Sequence, residues 1–112
     1  MRDRGAAAEA LAERFLRDRG VRIVERNWRC RGGEIDIIAR DGPTLVFVEV
    51  RLRRSSAFGG AAASITAAKR RRLGIAARHY LGRLGHEPPC RFDAILLDSL
   101  EPARIEWLRD VA

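Results

Sequence analysis

The sequence predicts an α/β fold, with a mixed sheet of four to five strands packed on helices in the order αβββαβ(β). Three observations predict it. Two stretches with helical spacing of apolar residues, 3–19 and 66–84, are separated by a run dominated by strand patterns. Within that run, apolar segments at 34–40 and 44–53 are joined by Asp41-Gly42-Pro43, a turn signal whose proline cannot sit in a central strand. The second helix then separates the strand at 44–53 from another apolar run at 90–98, and a crossover of that length makes those two strands parallel.

Each element has its own local reason. Ala8, Leu11, Ala12, Phe15 and Leu16 fall on one face of the first helix, and Gly20 closes it as a left-handed cap. Val21 to Cys30 alternates in part and reads as a strand, followed by a turn at Arg31-Gly32-Gly33. The stretch 54–64 is rich in Ser, Gly and Ala and reads as a mobile loop. Leu73, Ala77, Tyr80, Leu81 and Leu84 form the apolar stripe of the second helix, which ends at Gly85 and Pro88-Pro89. Arg104 to Leu108 adds a short edge strand.

At 112 residues the chain is expected to form one domain, 1–112, with a single core. No apolar run approaches the roughly 20 residues of a membrane span, and the start lacks an apolar signal core, so the expected compartment is the cytoplasm. Cys30 and Cys90 stand far apart without a ligand cluster and read as small buried thiols. The formal charge is +7, which favours a polyanionic partner. Of 22 basic residues only Lys69 is a lysine, a bias that matches drift toward GC-rich codons and leaves the charge intact.

Glu34, Asp36 and Glu49 interrupt the two most apolar strands, where charge is costly to bury without a partner. Residues two apart in a strand share a face, which pairs Glu34 with Asp36 and Glu49 with Arg51. A two- or four-residue loop sets Asp36 opposite Glu49; a three-residue loop sets it opposite Val48 and separates the acids. The apolar pattern allows either register. In the first, two carboxylates face each other at about 4.5–5.5 Å between Cβ atoms, a repulsion that Mg²⁺ or Mn²⁺ would relieve. Carboxylate ligands with a cation beside them are the parts of metal-assisted phosphodiester hydrolysis. The plainer alternative is a solvent-facing Glu34 and a Glu49 neutralised by a neighbouring arginine.

Gly33-Glu34-Ile35-Asp36-Ile37-Ile38, Val46-Phe47-Val48-Glu49-Val50, Lys69-Arg70-Arg71-Arg72-Leu73 and Arg91-Phe92-Asp93 follow one another at characteristic spacings, with Gly5…Glu9 and Arg26-Asn27-Trp28-Arg29 ahead of them. Together they closely resemble the YraN-like family of small, uncharacterised bacterial proteins considered endonuclease-like. The family is similar in turn to the PD-(D/E)xK nucleases and to archaeal Holliday junction resolvases. The resemblance implies a three-layer α/β/α restriction-endonuclease-like fold, with Asp36 and Glu49 as the motif acids and the Val50 carbonyl as a further metal ligand. It also raises Glu9, otherwise a surface carboxylate like Glu13, to an accessory acid. The implied substrate is nucleic acid, DNA ahead of RNA and branched or structured in shape, and a resolvase-like action implies a homodimer.

The motif expects Glu-x-Lys, and this chain has Glu49-Val50-Arg51. Arginine keeps the charge and grips a phosphate with two donors, but it cannot accept a proton. Lys69 is either a lysine kept because it does something arginine cannot, reaching the site from the second helix, or one that escaped the codon drift by chance. The basic cluster around it lies at the helix N-terminus, a natural phosphate position, so Arg53, Arg54, Lys69, Arg70 and Arg72 are the expected nucleic-acid contacts. Arg91 and Asp93 share a strand face and read as a structural ion pair, with orientation of Arg51 or Lys69 by Asp93 as the alternative. Trp28 reads as packing, and His79 and His86 as surface residues. Two functions follow: a metal-dependent endonuclease using Asp36, Glu49, Arg51, Glu34, Glu9 and Lys69, or a binding module of the same fold that no longer cleaves.

Overall fold

The computed structural model describes residues 4–52, 66–100 and 103–111. Arg53, Arg54 and the expected loop at 54–64 lie outside them. The elements are α1 (Arg4–Asp18), β1 (Arg22–Cys30), β2 (Gly33–Asp41), β3 (Thr44–Leu52), α2 (Ala67–Leu84), β4 (Cys90–Leu100) and β5 (Ala103–Leu108). The strands form one sheet in the order β1-β2-β3-β4-β5, antiparallel except for the parallel pair β3–β4 that α2 connects. The α/β class, the element order and the mixed sheet are those the sequence predicts.

The helices cover opposite faces of the sheet. Ala8, Ala12 and Leu16 of α1 are buried against Ile37, Ala39, Val46, Val48, Ile95 and Leu97. Leu73, Ala76, Ala77 and Tyr80 of α2 are buried against Trp28, Ile35, Ile38, Leu45 and Phe47. The middle strand β3 therefore needs apolar side chains on both faces, which is why Leu45 to Val48 is an unbroken apolar run. Leu108 and Val111 complete the cover, packing on Ala94 and Leu96 of β4. Trp28 has the packing role expected of it, edge-on to Tyr80 at 5.6 Å between ring centroids.

Helix ends are fixed locally. Gly20, at φ +84°, lets its own N–H reach the Arg17 carbonyl and the Val21 N–H reach that of Leu16, both at 3.0 Å. At the start of α2, the Thr66 hydroxyl accepts the Lys69 N–H at 3.2 Å. The β2–β3 turn is the two-residue Gly42-Pro43, with Gly42 at φ +62° in the position a II′ turn reserves for glycine. That turn pairs Asp41 with Thr44 and Ile37 with Val48, so the register that opposes the acids is the one adopted.

Two expectations need correcting. Cys30, at the end of β1, is only half-buried at the margin of the cluster under α2, and Cys90, at the start of β4, is exposed. Glu13 is buried, clamped by Arg17 at 2.6 Å and by Arg26 of β1 at 3.0 Å; the helix turn carries it over β1 rather than into solvent. Asp93, as the sequence predicts, makes the structural ion pair with Arg91 rather than orienting Arg51 or Lys69. It is fully buried and accepts from Arg91 Nε at 3.0 Å, Trp107 Nε1 at 2.9 Å and the Asp110 N–H at 2.9 Å. Among the described residues no helix is long and apolar enough to cross a membrane.

Candidate functional site

Strict strand alternation fails at one residue of β2. Ile35 is buried on the α2 side and Ile37 on the α1 side, although they are two apart. The chain turns over at Asp36, next to the edge strand where Asn27 takes the left-handed φ of +52°. Pairing with β3 runs only to Ile37↔Val48, and the Asp36 side chain then continues it. Its Oδ2 accepts the Val50 N–H at 2.8 Å. The carboxylate is thus tied to the backbone of the strand that carries Glu49.

Around this point the first turns of both helices close on the ends of β2 and β3. Glu9 of α1, Glu34 and Asp36 of β2, Glu49, Val50 and Arg51 of β3, and Lys69 and Arg72 of α2 line one cleft of about 220 Å³. Every expected catalytic and metal-binding residue lies there. Lys69 and Arg72, three apart on α2, both face it. Arg70 is exposed and does not line the cleft, and Arg53 and Arg54 are outside the described residues. Sequence reasoning passed over Arg29, whose Nε stands 3.8 Å from Glu34. Only its place opposite Glu34 across the β1–β2 hairpin could have indicated it.

The electrostatics of the cleft are strained toward negative charge. Burial is the largest influence on Asp36 and raises its pKa; the Val50 N–H opposes it, while Glu49, Glu9 and Glu34 push it further up, from 3.8 to about 7. Glu49 and Glu34 find bases. Glu49 Oε2 meets Lys69 Nζ at 3.4 Å, and Glu34 Oε1 meets Arg72 at 2.8 Å. Among the described residues no three His, Cys, Asp or Glu side chains gather closely enough to hold a metal ion. Opposed carboxylates repel, so each turns to its own donor: Asp36 to the backbone, Glu49 to the lysine, Glu34 to the arginine. The donor set still suits Mg²⁺ or Mn²⁺, which take one or two carboxylates and complete their shells with water.

The approach of α2 to β2 depends on Gly33. A Cβ there would run into the Arg72 carbonyl oxygen and the Ala76 nitrogen, both backbone atoms of α2. Gly33→Ala is therefore expected to push the helix outward, lower stability by about 1–3 kcal/mol and draw Lys69 away from Glu49. Thermal unfolding checks the first effect, and a structure of the variant, read at the distance from Lys69 Nζ to Glu49 Oε2, checks the second.

With this geometry in view, the sequence comparisons carry specific weight. The profile of the uncharacterised protein family UPF0102, also called the YraN family, matches residues 8–97. The chain belongs to that family. A UPF0102 protein of Methylobacillus flagellatus is 54% identical over 110 residues, 98% of this chain and 96% of the relative. One of Cupriavidus taiwanensis is 59% identical over 108 residues, 95% of this chain and 79% of the relative. A third, of Nitrosospira multiformis, is 54% identical over 110 residues, 98% and 92% respectively. The stretch matched by the UPF0102 profile includes every cleft acid, from Glu9 to Glu49, and both cleft bases of α2.

Proposed function

We propose that this UPF0102 protein is a divalent-cation-dependent endonuclease acting on structured or branched DNA. The observation that supports it best is the company of Asp36. A half-buried carboxyl pushed up to about 7 by its burial and then by three neighbouring acids, in a cleft that also holds Arg51, Lys69 and Arg72, is arranged for an added cation and a phosphate. Asp36 and Glu49 would hold Mg²⁺ or Mn²⁺, with the Val50 carbonyl as a third oxygen. Bound there, the ion supplies Lewis-acid chemistry to a phosphodiester. Glu9 and Glu34 orient the attacking water, and Arg51 and Lys69 stabilise the charge that develops on the phosphate. Arg72, with Arg70, Arg53 and Arg54, carries the flanking backbone phosphates. A symmetric junction calls for two such clefts related by a two-fold axis, hence a homodimer, and DNA as substrate places the protein in the cytoplasm.

The test is nicking of a junction or flap substrate in Mn²⁺. Asp36→Ala and Glu49→Ala are each expected to lower the rate by at least about 100-fold while leaving DNA affinity within a few-fold of wild type. A second reading, a binding module without cleavage, is favoured by one residue, Arg51 in the motif lysine's position. It predicts tight, steeply salt-dependent binding with no cation-dependent product. Under the nuclease reading, Arg51→Lys cleaves at least as fast as wild type; under the other, neither cleaves.

A further inference from the structure

The ion pair between Lys69 and Glu49 places a positive charge on a residue that the proposed function assigns to a divalent ion. We propose that the Lys69 ammonium is the resident counter-ion of the cleft, held by Glu49 until a divalent ion takes that carboxylate and releases it toward the substrate phosphate. The inference rests on the reading of Asp36 and Glu49 as the cation ligands, and it adds an exchange to that reading.

Three features lead to it. The contact is 3.4 Å, with the Lys69 side chain 30% and that of Glu49 14% exposed, so the pair is largely withdrawn from water and less screened than a surface pair. The position of Lys69 is fixed while its head is not. Thr66 caps the Lys69 N–H at 3.2 Å and sets the start of α2, whereas the ammonium swings on a four-carbon stem. Residue type also matters: a guanidinium would grip Glu49 with two parallel donors, whereas an ammonium is a compact charge that one incoming cation can displace. In a chain with 21 arginines and a single lysine, the lysine occupies the position where release is needed.

The exchange has a chemical consequence. Once displaced, the ammonium lies beside a divalent charge that repels it, and a phosphate oxygen is the nearest natural partner. Cation and phosphate should therefore bind with positive coupling, each favouring the state with Lys69 released.

Calorimetric titration with Mn²⁺ alone, on the full chain without nucleic acid, tests this. Lys69→Met is expected to bind Mn²⁺ about three- to tenfold more tightly than wild type, because the competing charge is gone. Lys69→Arg is expected to bind it more weakly, since the guanidinium holds Glu49 harder. Uptake by wild type with equal or weaker affinity in Lys69→Met overturns the exchange and leaves the cation site standing. No uptake by any of the three proteins overturns both.

Discussion

Asp36→Asn is expected to stabilise the protein by about 2–4 kcal/mol near pH 8 and to change it little near pH 4. A carboxyl whose pKa is raised on folding holds its proton more tightly in the native state than in the unfolded one. Its contribution is fully present below the unfolded value of 3.8, falls as pH rises, and is lost once pH passes the folded value of about 7. Above that, the native state carries a buried carboxylate beside Glu49, Glu9 and Glu34. The full interval corresponds to about 4 kcal/mol, and the partial exposure of Asp36 reduces what is recovered. Asparagine keeps an oxygen for the Val50 N–H and never ionises, so the wild-type decline should disappear from the variant. Urea unfolding of both proteins across this range measures the difference, from which groups that do not interact with Asp36 cancel. A pH-independent difference would mean that Asp36 does not carry the strain ascribed to it. Mn²⁺ should do for wild type near pH 8 what asparagine does, raising its melting temperature, and should leave Asp36→Asn nearly unmoved.

The second large effect lies on the other side of the sheet's centre. Asp93 is fully buried and joins Arg91 to Trp107 and to the Asp110 backbone, while Arg91 also reaches Asp41 at 2.9 Å. Asp93→Ala leaves a largely buried guanidinium, an indole N–H and a backbone N–H without their shared acceptor, a loss of about 3–5 kcal/mol. Its absence also frees the C-terminal segment whose Val111 bonds Phe92 at 2.8 Å and covers Ala94 and Leu96. Trp107 fluorescence should shift to the red at temperatures where wild type is still folded. Because this network does not line the cleft, residual cation affinity of the folded fraction is expected to match wild type.

The contrast between these two aspartates shows what a linear reading captures. The strands were legible because their apolar runs are long and bounded by Gly32-Gly33, Gly42-Pro43 and Pro88-Pro89. The helices were legible because small and aliphatic residues recur at helical spacing. The pairing of Asp36 with Glu49 hinged on a loop length that the sequence left open, and glycine's tolerance of positive φ at Gly42 settled it. The reversal between Ile35 and Ile37 was not legible, since it accompanies a tertiary contact, the Val50 N–H donating to Asp36, beside the left-handed Asn27. Nor was the burial of Glu13, which depends on Arg26 lying across from α1, or the role of Asp93, which depends on a segment that folds back after β5. Such contacts join residues from separate elements, and no local period records them. Lys69 was a partial success: composition singled it out, and only the packing of α2 on Gly33 brings it within 3.4 Å of Glu49.

The central claim is that Asp36 and Glu49 hold one divalent ion between β2 and β3. Titrating Mn²⁺ calorimetrically into wild type, Asp36→Ala and Glu49→Ala near pH 8 tests it most directly. The account predicts one ion per chain for wild type and at least about a tenfold loss of affinity in each variant. Equal binding by all three proteins, or none by wild type, would contradict it.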